Sequence, residues 1–238
     1  MKFLTLSSLG NGFFIKAFYF LAGCRSAEFR IFMNDTLYTI GHSTHEIDKF
    51  LELVKSAGVN CIVDVRSIPH SAHAPQFNIE VLPLYLKRIG VIYLSFAEEF
   101  GARRLDCLDA DGKVDFEKAV QTEKFLSGVK RIEAGLEKGY NIALMCSEAD
   151  PLACHRFSMI SRYFDDHGFN VKHILKDGSV RDHKDLLQEM TSYYVKKKKI
   201  RDLMDMFEPI TEDEQAKEAY HLRNIEVGYT AIKDDIEL

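Results

Sequence analysis

Five short apolar runs punctuate the chain, at residues 36–40, 60–65, 91–94, 141–146 and 170–175, each bounded by polar or turn-forming positions. Runs of this length read as strands buried in a sheet. Between them the apolar positions change period. Ile47, Phe50, Leu51, Val54 and Ala57 fall on one helical face and stop at Gly58, and Val81, Leu84, Tyr85 and Ile89 repeat the pattern before Gly90. The longest helical stretch covers residues 116–138, closed by Gly139, and a fourth covers 151–167, with Asp150 as candidate cap, Pro151 in the first turn and Gly168 beyond its end. Strand and helix alternate about four times. That alternation predicts a single α/β domain, a mainly parallel sheet flanked by helices in three layers, as in doubly wound folds.

After about residue 190 the pattern weakens. Lys196, Lys197, Lys198 and Lys199 form a run read as a solvated stretch, followed by a predicted short helix at 200–207, Pro209 and an acidic, mixed tail. Residues 33–192 are therefore expected to form the α/β domain and 193–238 a charged, short helical extension. Residues 1–32 stand apart. They carry +3, against −8 for the remainder, and their apolar segment is interrupted by Lys16, which leaves too little to span a bilayer. The preferred expectation is that translation starts at Met33. The alternative is a lipoprotein-type signal ending in Leu21, Ala22, Gly23 and Cys24, and a membrane connection is expected only if Cys24 is lipidated.

Composition narrows the functional classes. In 238 residues, 31 Lys and Arg face 36 Asp and Glu, a net charge of −5, so no global positive field holds nucleic acid nonspecifically. A nucleic-acid partner would need a local basic patch. Five cysteines, an odd number scattered through a chain of this length, point away from a disulfide scaffold and towards a reducing, cytoplasmic location. Collagen-like and disordered classes are excluded as well.

Ligands of open parallel sheets bind beyond the carboxyl ends of the strands. There the sequence places His42, Ser43 and Thr44 after the first strand, Arg66, Ser67, Pro69 and His70 after the second, residues 95–104 after the third, and Cys146, Ser147 and Glu148 after the fourth. Polar residues from four segments thus collect at one edge. The fourth segment carries most of the chemistry: Cys146 leaves a strand, and Glu148, Cys154, His155 and Arg156 follow around the start of a helix, where free N–H groups favour an anion or a thiolate. The reading is a catalytic set of Cys146 as nucleophile, Glu148 or His42 as acid or base, and His155. Ser43, Arg66, Ser67, Arg103, Arg104, Cys154 and Arg156 are the expected substrate-binding groups. The substrate would be a small anion, phosphorylated or nucleotide-like. A noncatalytic module binding a nucleotide or a nucleic-acid end through the same edge is the alternative. No cofactor is expected; Zn²⁺ on Cys146, Cys154, His155 and His42 has ligand spacing that fits no standard pattern, and a reversible Cys146 to Cys154 disulfide depends on geometry.

Taken together, Tyr38-Thr39-Ile40-Gly41-His42-Ser43, Val63-Asp64-Val65-Arg66-Ser67 with Pro69, Ser71, Gln76 and Phe77, the turn from Gly101 to Arg104, and Cys146-x-Glu148 followed by Cys154-His155-Arg156 resemble the domain of unknown function 488 family over roughly residues 36–176. Ala102 departs from the second Gly that the family usually has. The resemblance implies a cytoplasmic α/β protein without an established activity. Its Asp-Val-Arg strand and strand-borne Cys are similar to rhodanese-like folds, a likeness at the level of fold.

Overall fold

The computed structural model describes residues 36–203 and 210–231, so residues 1–35, 204–209 and 232–238 lie outside it, and with them the Met33 and Cys24 readings and half of the helix expected at 200–207, whose described half, residues 200–203, is not helical. Six strands form one sheet: β1 (Thr36–Gly41), β2 (Cys61–Asp64), β3 (Ile92–Ser95), β4 (Ile142–Cys146), β5 (Asn170–Ile174) and β6 (Val180–Asp182). Their order is β3-β2-β4-β1-β5-β6, parallel throughout except for the antiparallel β5–β6 pair. This is the expected α/β fold, and each of the five predicted strands is present to within a residue at either end.

Alternation along the strands divides the core. On one face, Phe50, Leu53 and Val54 of α1 (Ile47–Ser56) and Leu82 and Leu86 of α2 (Leu82–Arg88) pack against Ile40, Ile62, Ala143, Met145 and Ile174. On the other, Leu37, Cys61, Val63, Leu144, Cys146 and Val171 meet Phe100 of α3 (Ala97–Phe100), Phe116 of α4 (Phe116–Ala119), Phe125, Ile132 and Leu136 of α5 (Glu123–Glu137) and Phe164 of α6 (Arg162–Asp166). Each fully buried Leu, Ile or Phe in these layers stabilises the fold by about 1.5–3 kcal/mol relative to an exposed one. The helices after β1 and β2 cover one face and those after β3 and β4 the other. Right-handed crossovers require that arrangement when the chain first moves outward along the sheet and then returns.

Two predicted helices are broken in the structure. The stretch at 116–138 divides at Val120–Thr122, where Thr122 turns out of the helix, accepts the Phe125 amide and caps α5. The stretch at 151–167 opens with a 3₁₀ turn, Pro151–Ala153, capped by Asp150. It then becomes extended at Cys154 and continues as a π-helical turn, Arg156–Ser161, that runs into α6. Two further helices follow: α7 (His183–Lys196) and α8 (Glu212–Val227), the latter opened by a Thr211/Glu214 capping box. The acidic stretch after Pro209 thus contains a 16-residue helix. Only Gln215, Ala219 and Tyr220 of it are buried, too thin an apolar stripe to show as a period. Tyr220 and Ala219 join Phe157, Leu186, Met190, Tyr194 and Ile200 in a third apolar cluster.

A buried polar chain ties this cluster to the sheet. Thr39 Oγ1 lies 2.8 Å from His173 Nδ1, His173 Nε2 lies 3.0 Å from His183 Nδ1, and His183 Nε2 lies 2.7 Å from the Tyr220 hydroxyl. Burial lowers both histidines, His183 to about 3, with Lys184 adding to the effect there and the neighbouring His183 adding to it at His173. Their folded pKa values lie below the unfolded value, so the stability they contribute is complete above about pH 6.5 and declines as pH falls towards the folded values. Urea unfolding at about pH 7.5 and about pH 5 is expected to show a loss of roughly 1–2 kcal/mol for each such histidine, with a smaller pH slope in His183→Gln. An equal slope in the variant would exclude His183 as a contributor.

Candidate functional site

Strands β2, β4 and β1 are neighbours, so the segments leaving their carboxyl ends meet. Beyond the β1–β4 ladder, in which Gly41 faces Cys146, the pairing continues: the His42 amide donates to the Cys146 carbonyl at 2.9 Å and the Ser43 amide to the Ser147 carbonyl at 2.8 Å. Ser43 sits at φ 47°, the left-handed region, as the chain turns away. Gly41 is needed for this approach. A Cβ there would lie 1.8 Å from the Glu148 carbonyl oxygen.

Three side chains gather around the thiol of Cys146. Its Sγ donates to Glu148 Oε2 at 3.0 Å and lies 3.9 Å from His155 Nδ1; Cys154 Sγ lies 3.7 Å from the same nitrogen and 3.5 Å from the Arg156 amide, which donates to it. Nε2 of His155 stands 3.1 Å from the Val65 carbonyl. A carbonyl only accepts, so this nitrogen carries a hydrogen and Nδ1 is the atom turned to the sulfurs. The two cysteines and His155 are buried.

The electrostatics separate the two thiols. Cys146 is pushed up, by its hydrogen bond with Cys154 and then by burial. At Cys154, burial acts upward, but the Cys146 hydrogen bond and the charges of Arg156 and His155 outweigh it and hold the thiol below its ordinary range. The proton of the pair therefore stays on Cys146. Burial works against charge on His155 too, yet the Cys154 charge and hydrogen bond raise it above the usual imidazole value. Glu148 keeps an open side, but its carboxyl is withdrawn enough from water that burial, followed by the Cys154 charge, raises it.

Arg156 is completely buried. Its two terminal nitrogens donate to the Glu148 and Ala149 carbonyls, at 2.7 and 3.2 Å, and no carboxylate forms an ion pair with it among the described residues. An unpaired buried cation is costly, and the Arg156 charge is in turn one of the effects that lower the Cys154 thiol. Arg156 thereby holds the loop between β4 and the 3₁₀ turn.

Arg66 has a different setting. It makes a buried, forked pair with Asp64, Nε to Oδ1 at 2.9 Å and a terminal nitrogen to Oδ2 at 2.6 Å. Its remaining hydrogens reach the Phe77 carbonyl at 2.7 Å and His42 Nε2 at 3.1 Å, and Tyr93 donates to Asp64 at 2.7 Å. His42 stacks on the Phe77 ring at 4.3 Å and, with Nδ1 beside the Ser43 carbonyl, is held down to about 4 by burial, with Arg66 adding to the effect. Both ring nitrogens of His42 are thus engaged away from the sulfurs.

A cavity of about 260 Å³ opens over this edge, lined by Arg66, Ser67, Ile68, Ala102, Arg103, Cys146, Ser147, Glu148, Ala153, Cys154, His155, Val227 and Tyr229. Of the residues expected from the sequence, Cys146, Glu148, Cys154, His155, Arg66, Ser67 and Arg103 line it. Ser67 Oγ also accepts the Arg103 amide at 2.9 Å, and the exposed Arg103 guanidinium lies 4.8 Å over Tyr229. His42, Ser43 and Arg156 are not among the lining residues. Arg104 points elsewhere, into Asp106, the Glu99 carbonyl and Thr122. Val227 and Tyr229 were not foreseen, because nothing in their local sequence signals a site. Nor was the Val65 carbonyl, a backbone atom that side-chain patterns do not reveal.

The ligand atoms of Cys146, Cys154 and His155 all lie within 4.8 Å of one another, a group that could hold a metal ion. His42, the fourth ligand weighed from the sequence, is turned away to Arg66.

Fold and site together define a doubly wound α/β protein with a buried two-thiol, imidazole and carboxyl cluster at the carboxyl edge of its sheet. The model of the Domain of unknown function DUF488 matches residues 46–163, and the chain belongs to that family. No curated protein and no solved structure matches it. Among the described residues no helix is long and apolar enough to cross a membrane.

Proposed function

We propose that the chain is an enzyme that transfers a group from a small anionic substrate, phosphorylated or nucleotide-like, onto a cysteine, with Cys154 as the attacking thiolate in place of the Cys146 expected from the sequence. The observation that carries this reading is the setting of Cys154 Sγ, which faces His155 Nδ1 and the Arg156 amide beside a buried guanidinium that lacks a carboxylate partner. Thiolates are stabilised in such surroundings and are the nucleophilic form. In the step, a bond forms between Cys154 Sγ and the electrophilic centre as the bond to the leaving group breaks. The leaving group takes the proton held by Glu148, whose raised carboxyl suits an acid. Water then releases the group and a proton returns to Glu148. Arg103 and the Ser67 turn at the cavity wall supply the contacts for an anion.

Alkylation of the intact chain with iodoacetamide, followed by peptide mass spectrometry, tests the assignment. Cys154 is expected to label rapidly well below the ordinary thiol pKa of about 8.5, Cys154→Ser to lose the rapid phase, and Cys146→Ser to keep it with its midpoint moved upward. Rapid labelling of Cys146 alone would overturn it.

A metal centre on Cys146, Cys154 and His155 is the second reading. It is favoured by the His155 Nε2 contact with the Val65 carbonyl, the kind of outer bond that orients ligating histidines. Metal analysis of protein purified without chelators discriminates: about one Zn²⁺ per chain, with both thiols shielded from alkylation, would replace the nucleophile reading.

A further inference from the structure

We propose that Cys146 and Cys154 are also a reversible dithiol/disulfide couple, oxidised by hydrogen peroxide or a small organic hydroperoxide, which closes the thiol site when the bond forms. The inference rests on the reading of Cys154 as the reactive thiolate and adds a redox state to the same site. Three observations carry it. The two sulfurs stand within 4.8 Å of each other, with His155 Nδ1 beside both, and both cysteines line the cavity of about 260 Å³, into which a peroxide fits. Cys154 occupies an extended residue, φ −139° and ψ 144°, between the 3₁₀ turn and the π-helical turn, where its amide donates to the Pro151 carbonyl and its carbonyl accepts from the Phe157 amide, both at 3.1 Å, local turn bonds rather than rungs of the sheet. The remaining described cysteines, Cys61 and Cys107, are buried in the apolar core away from this cavity's lining.

The chemistry closes on residues already placed. The Cys154 thiolate attacks one peroxide oxygen; an S–O bond forms, the O–O bond breaks, and the departing hydroxide takes a proton from His155 to leave as water. Cys154 is then a sulfenic acid. Cys146 Sγ attacks that sulfur, the S–S bond forms, the S–O bond breaks, and the second hydroxide takes the Cys146 proton through Glu148, 3.0 Å from the thiol. Two thiols lose two electrons and the peroxide gains them; hydrogen peroxide ends as two waters, an organic hydroperoxide as one alcohol and one water. A thiol reductant restores the pair by exchange.

The test uses the intact reduced chain, treated with one equivalent of hydrogen peroxide, blocked with N-ethylmaleimide and digested for mass spectrometry. A Cys146–Cys154 cross-link that forms nearly completely, disappears with dithiothreitol and suppresses the rapid iodoacetamide phase is expected. In Cys146→Ser the resolving thiol is missing, and Cys154 is expected to stop as a sulfenic acid that dimedone traps, and to advance to sulfinic acid only when a second equivalent of peroxide is added. The inference is overturned if wild-type Cys154 advances directly to sulfinic acid, if it cross-links to another cysteine, or if both thiols stay free under peroxide. Should they stay free while Cys154 still alkylates rapidly, the redox couple fails and the nucleophile reading stands; loss of rapid alkylation as well would remove both.

Discussion

Asp64→Ala is expected to lower the folding stability by about 3–5 kcal/mol, the cost of leaving one half of a buried ion pair alone. Asp64 is wholly buried and Arg66 nearly so. The carboxylate receives the Arg66 Nε, a terminal nitrogen and the main-chain amide of Arg66 as well as the Tyr93 hydroxyl, so its removal strands four donors. Burial alone would disfavour the charge on Arg66; the Asp64 hydrogen bonds and charge more than offset it. Urea unfolding near pH 7 measures the loss. A double variant, Asp64→Ala with Arg66→Met, is expected to recover part of it, because a neutral pair of side chains leaves no buried charge unpaired. If the single variant lost less than about 1 kcal/mol, the pair would be no more than a surface-grade contact.

Gly41→Ala is the second large effect. The added Cβ falls 1.8 Å from the Glu148 carbonyl oxygen and 3.0 Å from the Ala149 Cα, both backbone atoms that cannot swing aside as a flexible side chain would. Relief requires the loop after β4 to move away from β1. That movement breaks the bonds from the His42 and Ser43 amides to Cys146 and Ser147 and displaces the carbonyls that hold Arg156. A loss of about 1–3 kcal/mol or more is expected. Because Glu148 and Arg156 shift together, the rapid alkylation phase of Cys154 is expected to slow as well, by about tenfold or more. Melting and alkylation measured on one preparation separate the outcomes: a stability loss with unchanged alkylation would show that the loop does not govern the thiol.

Much of the architecture was legible in the amino-acid order because its strands are continuous apolar runs and its first helices carry wide apolar faces. Ile47, Phe50, Leu51 and Val54 mark α1 without ambiguity, with Gly58 at φ 67° where the helix ends. The misread segments have equally physical causes. Thr122 interrupts a long helical period by capping α5 and receiving Arg104, a contact from a distant turn. At Cys154 the chain leaves helical geometry although Asp150, Pro151 and the later apolar positions all favour a helix. α8 buries so few side chains that its capping box, Thr211 and Glu214, was its clearest local mark.

The site divides in the same way. That Cys146, Glu148, Cys154 and His155 belong together follows from their closeness in the chain and from their place after a strand, since strand ends of a parallel sheet share one edge. Asp64 closes β2 and Arg66 stands two residues on, just past the strand end, so their pairing is a local one. Which thiol holds the negative charge could not be read that way. It depends on Arg156 burying its guanidinium against two carbonyls and on His155 turning Nδ1 to the sulfurs because Nε2 meets Val65 from another strand. Likewise Arg104 and Arg103 are neighbours in sequence, yet one is spent on Asp106 and the other reaches the cavity. Sequence alone determined the layers, the edge and the residue types available for chemistry, because burial pattern and connection rules are local or nearly so. Tertiary structure alone decided protonation, partnership and access, because electrostatic fields and hydrogen-bond geometry depend on groups that the chain brings close only after folding.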